Sequence, residues 1–254
     1  MTSRRGRIAI LRQPNRAEPL RAALVDAGFE VVVRPVTRVE SVAPRKGDDW
    51  RGLAAVADWV VFTSLNGVKS FTDGVGGAEA LGELLKDRRV AVLGSTSAQG
   101  LESAGVKVEV LEERGTSAEL VIALLEAMEP ESTVLYPRAE RTLATLPRAL
   151  CEAGHHLRQV VCYRTTVLAP QERAALDWDA LDAAFVAAPS AVRALNDEAS
   201  LPNGFGFFAI GQTTAAALGK AGLTVLGVAA SPKVESIVKM LVEWSKARSS
   251  KFKM

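Results

Sequence analysis

The side chains of this sequence best suited to chemistry are a phenol, a set of hydroxyl-rich loops and a few arginines. The phenol is Tyr163, in the stretch Val160-Val161-Cys162-Tyr163-Arg164-Thr165-Thr166-Val167. That stretch begins as a β-branched strand and runs on as a polar, extended tail. An earlier stretch, Val31-Val32-Val33-Arg34-Pro35-Val36-Thr37-Arg38-Val39, answers it: a shift of 126 residues lays Thr37 on Tyr163 and Arg38 on Arg164. Both follow a helix that ends in Ala-Gly, so both read as second strands of β-α-β units. The later copy alone carries a phenol, a group that is protonated at neutral pH and able to donate a hydrogen bond.

The hydroxyls lie where strands hand over to helices. Gly94-Ser95-Thr96-Ser97 and Gly211-Gln212-Thr213-Thr214 each join an apolar strand to a helix. Glycine lets the backbone turn there, and the N–H groups of a helix start attract anions. Thr63-Ser64 and Ser190 hold the equivalent place after another strand of each half, while Arg12, Arg138 and Arg141 follow the first strand of each half. Singly, such a Ser or Thr caps a helix and such an Arg is a solvated charge. As a set repeated in two halves, they suit a flexible polyanion held mainly by backbone N–H groups.

Several chemistries are excluded. No strand leads into GxGxxG or GxxxxGK[ST], and there is no HExxH, no CxxC and no Ser-His-Asp order. Cys151 and Cys162 are eleven residues apart, on a helix and a strand, which makes them packing residues rather than a disulfide framework or metal site. His155 and His156 follow a helix-ending glycine and read as surface residues. A net charge of +2 gives no reason to expect nucleic acid. No apolar run is long enough to cross a membrane, and the basic N-terminus precedes too short an apolar run for a signal peptide. The expected compartment is the cytoplasm. The basic tail 246–254, with Arg248, Lys251 and Lys253, is expected to fray.

The elements that must position these groups alternate regularly. Strands are expected at 7–11, 31–34, 58–62, 89–93 and 106–111, and again at 133–138, 160–167, 181–187, 207–210 and 223–228. Helices fall between them, including 16–27, 117–128, 142–153 and 232–246. At 254 residues, with 48% hydrophobic and 24% charged residues, the chain is long enough for two globular domains. Ten strands alternating with helices predict an α/β fold: two similar lobes, each a five-stranded parallel sheet with helices on both faces. The pattern leaves two divisions open. One is sequential, at 129/130. The other is discontinuous, with 1–37 plus 167–254 as one lobe and 40–163 as the other, joined by a two-stranded linker at about 35–40 and 163–168.

The sequence resembles the uroporphyrinogen-III synthase family. The matching stretches are Val60-Val61-Phe62-Thr63-Ser64-Leu65-Asn66-Gly67-Val68, Val90-Ala91-Val92-Leu93-Gly94-Ser95-Thr96-Ser97-Ala98, Val134-Leu135-Tyr136-Pro137-Arg138, Val161-Cys162-Tyr163-Arg164-Thr165, Ala188-Pro189-Ser190-Ala191-Val192 and Ala209-Ile210-Gly211-Gln212-Thr213-Thr214-Ala215. They run in the family's order over nearly the whole chain. The resemblance implies the discontinuous division, an active site in the cleft between lobes, and a hydro-lyase of tetrapyrrole biosynthesis. Its substrate would be hydroxymethylbilane, a linear tetrapyrrole with eight carboxylates, cyclised with inversion of ring D. It implies no metal or organic cofactor and, with the site inside one chain, a monomer. Tyr163 matches the family tyrosine that assists loss of the hydroxyl; Thr96, Thr213 and Thr214 match cleft threonines, and Ser64 and Ser190 match residues near the propionates. Arg12, Arg138, Ser97 and Gln212 complete the expected substrate contacts. The chain departs from the family at Val186-Ala187-Ala188, where members commonly carry Phe-Thr-Ser. That change motivates an alternative, a catalytically weakened tetrapyrrole-binding homologue of the same fold.

Overall fold

The computed structural model describes residues 5–113, 116–198 and 201–251. The chain opens with β1 (Arg7–Leu11), α1 (Pro14–Asp26), β2 (Glu30–Val33), β3 (Thr37–Ser41), α2 (Trp50–Ala55), β4 (Trp59–Phe62), α3 (Leu65–Val75), α4 (Ala78–Leu85), β5 (Arg89–Leu93), α5 (Ser95–Glu102) and β6 (Val110–Glu112). It continues through α6 (Ser117–Ala127), β7 (Thr133–Ala139), α7 (Thr145–Glu152) and β8 (His156–Val167). After a single 3-10 turn, Pro170–Glu172, it ends with β9 (Ala183–Val186), α8 (Pro189–Leu195), β10 (Gly206–Ala209), α9 (Gln212–Lys220), β11 (Thr224–Val228) and α10 (Val234–Lys251). These elements gather into two compact units, Met1–Arg38 with Thr166–Met254, and Val39–Thr165.

The first unit holds one parallel sheet in the order β11-β10-β9-β1-β2. Its central strands are uninterrupted apolar runs, Ala183–Val186 and Gly206–Ala209, buried along their whole length as a sheet covered on both faces requires. Alternate residues feed two cores. Ile8, Ile10 and Phe185 pack on one face with Leu20, Leu24, Ile237 and Leu241 of α1 and α10. Ala9, Leu11 and Val186 pack on the other with Val192 and Leu218 of α8 and α9.

The second unit repeats the plan. Strands β8-β7-β4-β5-β6 are parallel, and β3 adds a sixth strand beside β8. Val42 N donates to Cys162 O at 2.8 Å and Leu168 N to Val36 O at 3.0 Å, so one index falls as the other rises and the two connecting stretches run antiparallel. Within β4 the period of two sends Val60 and Phe62 to the core under α3 and α5, and Trp59 and Val61 to the core under α6 and α7.

The structure departs from the sequence reading in several places: the second sheet has six strands where five were expected, and the strand expected at 160–167 begins at His156. The strand expected at 106–111 shrinks to Val110–Glu112, because Val106 turns into the core instead of extending the ladder. The helix expected from 142 starts at Thr145, with Ala144 as its N-cap. Helix α2 was not foreseen; Asp49 caps it, accepting from Gly52 N at 2.7 Å. The tail expected to fray continues α10 to Lys251, with the Arg248 guanidinium 5.5 Å from the Trp244 ring and paired with Asp182. Lys253 lies outside the described residues.

Candidate active site

In the second unit the site grows from the end of β4. After the buried Phe62 the chain turns at Thr63-Ser64, and Ser64, extended at φ −164° and ψ 150°, becomes the N-cap of α3. Its Oγ accepts from Gly67 N at 3.0 Å, satisfying one of the helix's unpaired donors. The same Oγ lies 2.7 Å from the Tyr163 hydroxyl. Tyr163 is half-buried on β8, beside a register shift between Arg138 and Ala139 of β7. Gly67 makes this approach possible: a Cβ there would stand 3.3 Å from Ser64 Oγ, 3.4 Å from Pro137 O and 3.8 Å from the Tyr163 ring. Cys162, next to the phenol, is fully buried, and burial pushes its thiol up to about 12. It stays neutral and packs, while Cys151 is exposed.

A second phenol, not singled out from the sequence, stands behind the first. Tyr136 is buried in β7, with its hydroxyl 3.0 Å from Thr63 Oγ1 and 3.2 Å from Thr142 Oγ1. The available signal was a tyrosine inside an apolar strand, since a buried phenol has to find a partner.

The other expected residues fall at the carboxyl ends of neighbouring strands. In the second unit β7, β4 and β5 are adjacent and deliver Arg138, Ser64 and the Thr96-Ser97 pair. In the first, β1, β9 and β10 are adjacent in the same sense and deliver Arg12, Ser190 and the Gln212-Thr213-Thr214 run. Arg138 is turned inward: Nη1 donates to Ala139 O at 2.7 Å and Glu140 O at 3.0 Å, and its Nε is buried without a partner. Arg12 is half-buried, with no carboxylate paired to it among the described residues. Burial, reinforced by Arg16, lowers its pKa. Gly94 turns into α5 at φ +89°, a conformation that favours glycine, whereas Gly211 before α9 is extended. Neither helix has a side-chain cap, so both present first-turn N–H groups. Thr96, Gln212 and Thr213 are exposed there, while Ser97 and Thr214 are buried. Ser190 is half-buried at the second residue of α8. A cavity of about 360 Å³ in the second unit, floored by Val160 and Val161 and flanked by Arg45 and Arg164, includes none of these residues. Among the described residues no group of three or more His, Cys, Asp or Glu could hold a metal ion, and no helix is long and apolar enough to cross a membrane.

The family model described as uroporphyrinogen-III synthase HemD matches residues 18–239, most of the chain. The chain belongs to the uroporphyrinogen-III synthase family. It is similar to the uroporphyrinogen-III synthase of Chlorobaculum parvum, 26% identical over 86% of this chain and 90% of that one. A putative uroporphyrinogen-III synthase of Methanothermobacter thermautotrophicus is 27% identical over 62% of each chain. Among solved structures, the synthetase of Helicobacter pylori superposes with a TM-score of 0.64 at 20% identity, covering 94% of this chain and 99% of that one. A mutant synthase of Thermus thermophilus gives 0.58 at 22% identity, covering 96% and 99%. These two likenesses show the fold.

For a uroporphyrinogen-III synthase the direction of the Ser64–Tyr163 hydrogen bond matters. Ser64 Oγ accepts from Gly67 N and keeps a second lone pair and its own proton, so either hydroxyl can donate in the pair. Where Ser64 donates, the phenol oxygen is polarised by the bond it accepts.

Proposed function

We propose that this chain cyclises hydroxymethylbilane to uroporphyrinogen III, inverting ring D, and that Tyr163 is its proton donor. The observation that carries the assignment of roles is the 2.7 Å contact between Tyr163 and a helix-capping Ser64. Loss of hydroxide from the terminal pyrrole carbinol leaves an azafulvene cation. Donation from the phenol to the departing oxygen assists that cleavage, and the proton leaves with it as water. The electron-rich pyrrole supplies most of the drive, and the reading assigns no cofactor. The substituted carbon of ring D attacks the cation to form a spiro intermediate. Its old bridge bond to ring C breaks and re-forms at the free α-carbon of ring D, and the proton lost from that carbon balances the one the phenol gave. The protein's contribution is to hold the chain in the geometry that favours this order of attack.

Eight carboxylates need donors. The uncapped starts of α5 and α9, with Thr96, Ser97, Gln212, Thr213 and Thr214, offer N–H groups and hydroxyls. Arg12 brings a half-buried guanidinium to the same task, and Ser64 and Ser190 lie at equivalent strand ends. Arg138, which holds two carbonyls of its own loop through Nη1 alone, belongs to the same expected set. The same reading makes the stretches at about 35–40 and 163–168 the linker between two lobes, with the lobes at 1–37 plus 167–254 and 40–163. It takes the chain to work as a monomer in the cytoplasm.

The test is the isomer formed. Hydroxymethylbilane closes spontaneously to the uninverted type I product, so consumption alone is uninformative. Purified protein without metal or nucleotide, assayed by chromatographic separation of the oxidised porphyrins beside a protein-free control, should give mainly type III. A type I profile equal to the control overturns the reading. If substrate still binds tightly, the result favours a tetrapyrrole-binding homologue, to which the hydroxyl-free Ala187-Ala188 turn would then point.

A further inference from the structure

Thr63 and Ser64 are consecutive, and each hydroxyl meets one of the chain's two phenols. The Tyr136 ring is packed among Trp59, Val61, Leu146 and Leu150, so its hydroxyl is a fixed point within the unit. From that point it reaches two loops, through Thr63 after β4 and Thr142 after β7. The second loop returns to the first phenol, because Glu140 N donates to Tyr163 O at 2.8 Å while Arg138 holds the carbonyls of Ala139 and Glu140. Four hydrogen bonds and two short runs of chain, 63–64 and 140–142, close a circuit: Tyr163 hydroxyl, Ser64, Thr63, Tyr136, Thr142, Glu140, Tyr163 carbonyl.

We infer that Tyr136 is a positioning residue for Tyr163, acting through Thr63-Ser64 on one side and the 139–144 loop on the other. This rests on the reading of Tyr163 as proton donor and extends it to a residue that touches no substrate. The strands already hold the sheet by their ladders, and the ring fills the core whether or not it carries a hydroxyl. The hydroxyl bonds two loops, and both flank Tyr163. Removing it frees Thr63 to change its backbone angles, and Ser64 Oγ then no longer stands where the phenol needs it. Reaction geometry tolerates such drift poorly, since a displacement of an ångström is enough to lose much of a rate.

A double-mutant cycle tests this. Tyr136→Phe should lower kcat roughly ten-fold, with KM within about two-fold of wild type, the pattern of a lost transition-state interaction. In a Tyr163→Phe background the same change should alter kcat by less than about two-fold, because the group it positions is gone. Thr142→Val, at an exposed position, should follow Tyr136→Phe in direction and serves as the variant where Tyr136→Phe proves unstable; Thr142→Ser should restore the rate. Equal losses in both backgrounds, or a full rate for Tyr136→Phe and Thr142→Val beside a slow Tyr163→Phe, overturn the positioning role alone. A wild-type rate for Tyr163→Phe overturns the proton-donor reading first, and the positioning role with it.

Discussion

The start of α3 and the start of α8 are the same turn in two copies. Ser64 caps the first at φ −164° and ψ 150°, and Ala188 stands at the cap of the second at φ −163° and ψ 152°. The strands that lead into them, β4 and β9, are each buried end to end and each central in their sheet. Yet Ser64 holds a helix donor and a phenol, while Ala188 holds neither. Backbone angles are thus set by strand, turn and helix, and they persist when the side chain that used them is gone. The reverse asymmetry appears one strand away. Arg34 after β2 is buried in an ion cluster, and its counterpart 126 residues on is Val160, buried in an apolar core. One unit carries the phenol and its capping hydroxyl, and the other carries the buried ion cluster.

That contrast is broken most sharply at Glu198. Its carboxylate takes both terminal nitrogens of Arg34, at 2.8 and 3.2 Å, and lies 3.4 Å from Arg173 Nη1. Glu198→Gln leaves two buried guanidiniums without an anion and should cost about 3–5 kcal/mol in denaturant unfolding. Burial alone would raise the Glu198 pKa, but hydrogen bonding to Arg34 and the two positive charges outweigh it and the net direction is down. A depressed carboxylate stabilises the fold above its unfolded value, near ~4.3, and that contribution is lost as pH falls through the folded value. The wild type should therefore lose stability in acid more steeply than Glu198→Gln. Parallel acid limbs would show that Glu198 titrates without linkage to folding.

Next in size is Tyr163→Phe, which removes the chemistry from the other unit and leaves its packing. One transition-state hydrogen bond of ~2–3 kcal/mol corresponds to a roughly 30- to 150-fold fall in kcat at unchanged thermal stability. Type III turnover at the wild-type rate would make the phenol a packing residue like Cys162. Ser64→Ala makes the two turns identical in kind. It should cost about 1 kcal/mol of stability from the lost cap and slow turnover by roughly five-fold, less than losing the phenol itself. The smallest change runs the comparison backwards. Ala188→Ser supplies the missing cap on a backbone already shaped for it and should add about 1 kcal/mol, a rise of roughly 2–4 °C in Tm. Its rate should stay at the wild-type value; a faster enzyme would mean that a hydroxyl at position 188 adds to the substrate contacts of this turn.

Much of this architecture was legible because it is written in apolar runs. Strands such as Val60-Val61-Phe62 and Phe207-Phe208-Ala209 are short, uncharged and bounded by turns, and buried parallel strands must look so. Tyr163 and Ser64 were each singled out by position in a motif, but their contact was not. It spans 99 residues and depends on β7 lying between β8 and β4. Tyr136 was quoted only as part of a strand motif; its ring packs in the core, and the partners of its hydroxyl come from loops whose paths no local pattern fixes. Helix α2 escaped notice because six residues are too few to show a period, although Asp49 was there to start it. The C-terminal tail looked frayed from its Lys and Ser content, whereas Arg248 has both the Trp244 ring and Asp182 to lie against.

The strand order β9-β1-β2 has a consequence for how the protein is made. Ile8 in β1 pairs with Val31 within moments of synthesis, but its other neighbour, Ala183 in β9, lies about 175 residues further along. At a ribosomal pace of ~5–20 residues per second, that partner arrives roughly 10–35 seconds later. The whole of Val39–Thr165 is synthesised in the interval and has every strand it needs to fold. The first β-α-β unit must meanwhile wait with one edge of β1 unpaired and the face of Ala9 and Leu11, which packs under α8 and α9, uncovered. Chaperone demand during translation should therefore fall on the first forty residues, long before the residues that complete their sheet exist.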